Sequence, residues 1–344
     1  MFSQILGYII AAIVILLLFG IDFGLTQYIR VNILKLKPKV DKPKKTGWRE
    51  WVDSVTFAVV AATLIRWAFM EAYTIPTPSM EKSLLVGDFL FVSKVHYGPR
   101  TPITPLQVPL THQTIWGTSI PSYVDWIKLP SYRLPGFSEV KRGDCVVFNW
   151  PADEGYPTDL KTNYIKRCVA VSGDVLQVKN MQLYINGKEA ENPRKMQYRY
   201  FVRTDDVINE RVFKKLDITE VMVYQGGYIV WTTAENVDKL KAMNFVKDVV
   251  STAKSANEVD GDARVFPNSS KYMWNEDNFG PLTIPKKGMT VTIDSMSLPL
   301  YETAIIKYED NKNVKVENSQ LYIDNQIVKS YTFKQLLCRT NLHR

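Results

Sequence analysis

Two apolar stretches near the amino-terminal end limit this chain more than any other feature. Residues 5–21 are almost wholly apolar, and residues 23–29 continue the run after Asp22. That is long enough for a bilayer-spanning helix, which needs about 20 residues. The stretch has no positive n-region and no A-x-A-like cleavage site, so a retained anchor is expected rather than a removed leader. A second run, residues 55–69, is shorter, carries Arg66 and is flanked by Asp53 and Glu71. It reads as a second span with a snorkelling arginine, or as a helix lying in the interface. Between the two runs, residues 30–49 hold Arg30, Lys35, Lys37, Lys39, Lys42, Lys44, Lys45 and Arg49 against Asp41 alone. A short basic loop of this kind suits the cytoplasmic side, or a tether to anionic lipid, and places the chain beyond Tyr73 outside the cytoplasm.

The loop holds a surplus of +7 out of a chain total of +8, so the remainder is close to neutral. The basic pI therefore gives no reason to expect a nucleic-acid partner. Three cysteines, Cys145, Cys168 and Cys338, are too few and too scattered for a disulfide framework or a zinc site. Neither a metal nor another cofactor is expected.

Immediately after the second apolar run comes Y-T-I-P-T-P-S-M-E-K-S-L-L-V-G-D-F-L-F-V-S, residues 73–93. Pro76 and Pro78 argue against a helix there and push the residues before them toward extended geometry, which predicts a stiff, extended setting for Ser79. Gly87-Asp88 reads as a turn and residues 89–95 as a strand. Residues 97–135, rich in proline, threonine and aromatics, read as a long irregular extension. Its Trp116, Tyr123 and Trp126 fit either a lipid interface or ordinary packing.

Strand patterns return at residues 140–150 and 163–179, and residues 182–185 followed by Asn186-Gly187 give a hairpin signal. V-K-N-M-Q-L-Y-I-N-G at 178–187 recurs as V-E-N-S-Q-L-Y-I-D-N at 316–325, which predicts one small hairpin built twice on a single β platform. Between the copies the pattern is strand 198–203, an aspartate-capped helix 205–216, a hairpin with strands at 220–224 and 228–232, helix 233–243 and strand 245–250. That order, βαββαβ, is the split βαβ pattern of a small α/β domain.

A serine needs a base before it attacks. The three histidines, His96, His112 and His343, have no suggestive neighbours in sequence. A lysine can serve when desolvation disfavours its ammonium form. Lys166, mid-strand in Y-I-K-R-C-V, is the best placed, although a surface lysine is the commoner reading of such a position.

Three segments together carry a family resemblance: I-P-T-P-S-M-E-K-S-L-L-V-G-D-F-L-F-V at 75–92, R-G-D-C-V-V-F at 142–148 and Y-I-K-R-C-V-A-V-S-G-D at 164–174. In order and topology the chain resembles the bacterial type I signal peptidases, membrane-anchored serine proteases that remove leader peptides from exported proteins. The resemblance implies Ser79 as nucleophile and Lys166 as general base, with Thr77 and the Ser79 backbone N–H stabilising the oxyanion. It places Ile75, Pro76, Met80, Leu84, Tyr164 and Ile165 around shallow pockets for small residues at −1 and −3. An extended 75–77 segment would pair with the substrate through its backbone. Exported preproteins and the lipid bilayer are the implied partners, with the catalytic domain on the periplasmic side of the bacterial inner membrane.

The expected map is a first transmembrane helix at 1–29, a basic loop at 30–50 and a second transmembrane or interfacial helix at 51–72. Next comes a mainly β, signal-peptidase-like domain in two parts, 73–196 and 281–335, with the inserted α/β domain at 197–280 and an atypical tail at 336–344. Pro78 and Lys82 stand where the family usually has glycine and proline. The family's M-G-D-N-R-x-x-S-x-D-S-R box has no clear counterpart. Gly261-Asp262-Ala263-Arg264 is a chance likeness, and residues 336–344 read as a chain cut short or in another frame. A catalytically inactive relative is therefore one alternative. Another is an acyl-serine enzyme of the penicillin-binding or β-lactamase kind, since Ser79-Met80-Glu81-Lys82 fits S-x-x-K. The prolines around Ser79 and the early position of Lys45-Thr46-Gly47 count against it.

Overall fold

The computed structural model describes residues 31, 33, 35, 47–256, 258, 265–309 and 311–334. The expected first span, most of the basic loop, the Gly261–Arg264 likeness and the tail lie outside the described residues. Among the described residues the protein is mainly β, with one long apolar helix preceding the strands.

That helix, α1, is Gly47–Ala68. Its 22 residues reach about 33 Å at 1.5 Å per residue, enough in length and composition to cross a bilayer. None of them is buried, and Trp48 and Trp51 stack on each other with ring centroids 5.1 Å apart. The helix stops short of the expected 72. Arg66 bonds within the protein: its Nε donates to Glu71 at 2.6 Å and its Nη1 to the Thr111 carbonyl at 3.0 Å. Glu71 also takes Lys94 Nζ at 2.8 Å, so one carboxylate ties the helix end to the first hairpin.

The described chain divides into two compact units: 47–78, 85–140 and 146–165 in one, and 79–84, 141–145 and the described residues from 166 onward in the other. In the first unit, β1 (Met70–Thr74) pairs antiparallel with β2 (Phe89–Ser93). Phe89 and Phe91 stand on the open face of β2, 83% and 77% exposed. Residues 97–135 form no strands but are held by isolated bridges at Arg100–Arg133, Gln107–Tyr123 and Thr114–Pro121. Asp159 caps the backbone N–H groups of Ile103 and Thr104 at 2.9 and 2.8 Å. The long extension is thus held by its own backbone bridges and by the Asp159 carboxylate from outside it. β3 (Cys145–Asn149) and β4 (Asn163–Arg167) make a two-stranded sheet.

The second unit contains the repeated hairpin. β5 (Val175–Lys179), β6 (Gln182–Ile185) and β7 (Lys188–Glu189) form one meander. Its turns place Asn180 and Met181, then Asn186 and Gly187, at positive φ. Consecutive positive φ values give the I′ geometry that matches strand twist, and Asn or Gly tolerates it best. Between these meanders, β8 (Tyr198–Arg203), α2 (Glu210–Lys215), β9 (Val221–Tyr224), β10 (Gly227–Thr232), α3 (Ala234–Lys241) and β11 (Asp248–Ser251) build a four-stranded antiparallel sheet of order β11-β8-β10-β9. Val202, Val230, Leu240, Val249 and Phe213 form its own core. Its first helix is shorter than the sequence pattern suggests, because Asn209, not Asp205, accepts the capping hydrogen bond from Arg211 N–H. β12 (Phe279–Thr283) then pairs with β5.

The remaining elements are β13 (Thr290–Thr292), α4 (Leu298–Tyr308), β14 (Val314–Glu317), β15 (Gln320–Ile323), β16 (Gln326–Ile327) and β17 (Ser330–Thr332). β14–β16 repeat the β5–β7 meander with positive φ at Asn318, Ser319, Asp324 and Asn325. Among the described residues the two copies do not share a sheet as expected: β5–β7 join β12, whereas β14–β16 form a three-stranded sheet of their own. The second copy packs on α4 instead, a helix absent from the strand reading of residues 281–335. Its Leu298, Tyr301, Ala304 and Ile305 recur at helical spacing and are buried against Leu321 and Phe333.

Candidate active site

Ser79 does not sit in an extended strand. β1 ends at Thr74, and Pro78–Met80 is one turn of 3₁₀-helix. Proline is excluded from a helix interior but its fixed φ suits the first helical position, so Pro78 opens the turn that it was expected to prevent. The turn continues through Ser83 and Leu84, whose N–H groups both donate to the Met80 carbonyl, at 3.0 and 2.8 Å. Met80 is buried, while Ser79 is exposed.

Lys166 is half-buried near the end of β4. Its Nζ donates a hydrogen bond to Ser79 Oγ, across 87 residues of sequence and within the second compact unit. The next residue, Arg167, reaches Ser83 Oγ at 3.0 Å and the Gly143 carbonyl at 2.7 Å. Strand and serine turn are therefore joined by two adjacent side chains. Arg167 was not singled out from sequence; its place beside a candidate base was the signal available.

Lys82, the lysine of the S-x-x-K reading, is engaged elsewhere. Its Nζ lies 2.8 Å from Asp217 Oδ2 and 3.6 Å from Glu81 Oε1. The described histidines also have other partners. His96 Nδ1 is 2.8 Å from Ser93 Oγ, and His112 Nε2 is 3.4 Å from Asn163 Nδ2. His343 lies outside the described residues.

Met80 and Leu84 fall in the same compact unit as Ser79 and Lys166. Ile75, Pro76, Thr77, Tyr164 and Ile165 fall in the other. Ile75 is buried, Pro76 and Thr77 are exposed, and Tyr164 lies against Trp150 with ring centroids 4.7 Å apart. The backbone groups of Ile75 are engaged locally. Its N–H donates to Asp88 O at 3.0 Å and its carbonyl accepts from Gly87 N–H at 2.9 Å.

The loop between β4 and β5 is set by Asp174. It accepts from Arg142 Nε at 2.8 Å and Nη2 at 2.5 Å, from Val171 N–H at 2.9 Å and from Asn186 Nδ2 at 3.0 Å. The Arg142 guanidinium, helped by the Val171 and Asn186 donors and opposed by burial, pulls the carboxyl down to about 2. A carboxyl depressed in the fold stabilises it at any pH above the unfolded value near 3.8, and that contribution is lost as pH falls through about 2. The expected size is about 2–3 kcal/mol. In urea titrations between pH 5 and 2, wild type should lose this increment, and Asp174→Asn should start without it and show a flatter profile. Parallel profiles for the two proteins would mean that the pair contributes no pH dependence.

Among the described residues there is no cluster of three or more His, Cys, Asp or Glu side chains able to hold a metal ion. The arrangement offers a serine hydroxyl, a lysine amine bonded to it, and a turn bonded through Ser83 to the adjacent Arg167.

Residues 48–250, more than half of the chain, match the family model described as signal peptidase, peptidase S26. The chain is 33% identical over 147 residues to the signal peptidase I of Rickettsia felis, covering 43% of this chain and 46% of that protein. It is 34% identical over 147 residues to that of Rickettsia canadensis, with the same coverage. The chain thus spans about half the length of the curated relatives it matches.

Proposed function

This chain belongs to the signal peptidase family S26, and from that premise we propose that it is a membrane-anchored serine endopeptidase that removes signal peptides from exported preproteins. The observation that carries the proposal is the hydrogen bond between Lys166 Nζ and Ser79 Oγ. In the reactive state the amine is uncharged. It takes the Ser79 proton as Oγ attacks the scissile carbonyl carbon. The resulting lysine ammonium gives that proton to the leaving amine as the C–N bond breaks, leaving an acyl-serine. Water, deprotonated by the same amine, then attacks the ester; the ammonium returns that proton to Ser79 Oγ as the C–O bond breaks, and the signal peptide leaves as a carboxylic acid that ionises into solvent.

Thr77 and the Ser79 backbone N–H are the proposed oxyanion donors, the kind of fixed dipoles that supply much of the rate in acyl transfer. Small side chains at −1 and −3 of the substrate are the proposed specificity, with Met80 and Leu84 of the serine turn as the proposed lining on that side. Helix α1 is the proposed span, with the basic 30–50 loop on the cytoplasmic side and the β domain facing the periplasm. The bilayer is then a permanent partner, and no nucleic acid enters the scheme.

The test is cleavage of an exported precursor by the detergent-solubilised chain. One cut after the −1 alanine is expected, with none by Ser79→Ala and none when −1 is a bulky residue. Cleavage by Ser79→Ala at the wild-type rate would remove Ser79 from the reaction.

A further inference from the structure

The side chain of Lys82 is 7% exposed, three residues beyond Ser79 in the same turn. Its Nζ donates to the Asp217 carbonyl at 2.8 Å and pairs with Asp217 Oδ2 at 2.8 Å, 135 residues away in sequence. Both residues hold a left-handed backbone, with φ of 65° at Lys82 and 55° at Asp217. That conformation is uncommon outside glycine and persists where the surroundings over-determine it.

The backbone of Asp217 is firmly placed, while its side chain is 71% exposed. It comes directly after the C-cap of α2, and its own N–H donates to the Lys214 carbonyl at 3.1 Å. The next residue, Ile218, donates to the Phe213 carbonyl at 2.9 Å, and both of these side chains are buried in the core of the 198–251 sheet. At the other end of the contact, Lys82 adjoins Ser83, which Arg167 holds from the lysine strand. The serine turn is therefore gripped at two neighbouring residues, once from β4 and once from the end of α2.

We propose that Lys82 and Asp217 form a clamp through which the 198–251 sheet and its helices position the serine-bearing turn against Lys166. The proposal rests on the reading of Ser79 as nucleophile and gives the βαββαβ segment a task that its lack of visible chemistry does not suggest. Lys82 and Asp217 are positioning residues; neither touches the reacting atoms. Their effect comes from geometry, because a misplacement of about 1 Å near a reacting centre can cost on the order of 10²-fold in rate.

Lys82→Met, Asp217→Asn and the double variant are compared with wild type on one precursor, with hydrogen exchange of the full chain measured in parallel. Asparagine tolerates the left-handed backbone at 217 and removes only the charge. Each single variant should lower kcat about tenfold with KM within about twofold, and the double variant should be no worse than the poorer single one. Lys82→Arg should keep most of the rate. The Ser83 and Leu84 amides, which bond the Met80 carbonyl, should exchange faster in Asp217→Asn. Wild-type kcat in both single variants, multiplicative losses in the double, or unchanged exchange at 83 and 84 would each overturn the clamp. The exchange measurement needs no turnover, so it reads the clamp even if Ser79→Ala remains active and the nucleophile assignment fails.

Discussion

Lys166→Arg loses at least about 10³-fold in precursor cleavage, equivalent to about 4 kcal/mol of barrier, while the folded protein melts as wild type does. The reason is that the guanidinium never gives up its proton at accessible pH and so cannot accept one from Ser79. A long side chain with nitrogen donors is kept, which makes arginine a sharper probe than alanine; Lys166→Ala should fall equally far by removing the nitrogen altogether. Lys82→Arg serves as the contrast, since an ammonium paired to Asp217 needs only its charge and its donors. Retention of more than about a tenth of the rate in Lys166→Arg would exclude the amine as base. Loss in Lys82→Met with full activity in Lys166→Ala would revive the S-x-x-K reading.

Gly98→Ala is expected to be the most disruptive single-methyl addition to the first compact unit. Gly98 has φ of 78°, and a Cβ there would lie 1.8 Å from the Leu134 carbonyl oxygen and 2.9 Å from its carbon. Both atoms are backbone, so no side-chain rotation relieves the overlap. The contact closes the long 97–135 extension at its base, where Leu134 N–H also donates to the Pro99 carbonyl at 2.9 Å. The expected result is a destabilisation of at least about 3 kcal/mol, together with rapid proteolytic nicking within 97–135. An unchanged melting temperature and an intact loop under limited proteolysis would show that the backbone yields at no cost. Gly117, which has nothing within 4 Å of its Cβ position, is the control for positive φ alone.

Local signals were legible in the sequence where one short segment decides its own geometry. Asn186-Gly187 announces a tight hairpin because few other pairs accept two positive φ values, and the structure has that turn. Residues 198–203 form a strand of those same bounds, set by aromatic and β-branched residues. Where two local rules compete, the reading failed. Pro78 is compatible with extended chain or with the first residue of a helical turn, and only the bonds from Ser83 and Leu84 back to Met80 select the turn. Helix α4 is not among the elements expected from sequence; its Pro299 sits in the first turn, where proline is at home.

By itself the sequence determined the apolar helix, the hairpin turns, the alternating strands and, through its resemblance, the serine and lysine to watch. All of these depend on residues within about one turn or one strand of each other. Tertiary structure alone decided which amine meets which hydroxyl, that Lys82 is claimed by Asp217, and that the duplicated meander is split between two sheets. These are long-range contacts, selected by burial and close packing of the whole chain, and no local propensity encodes them.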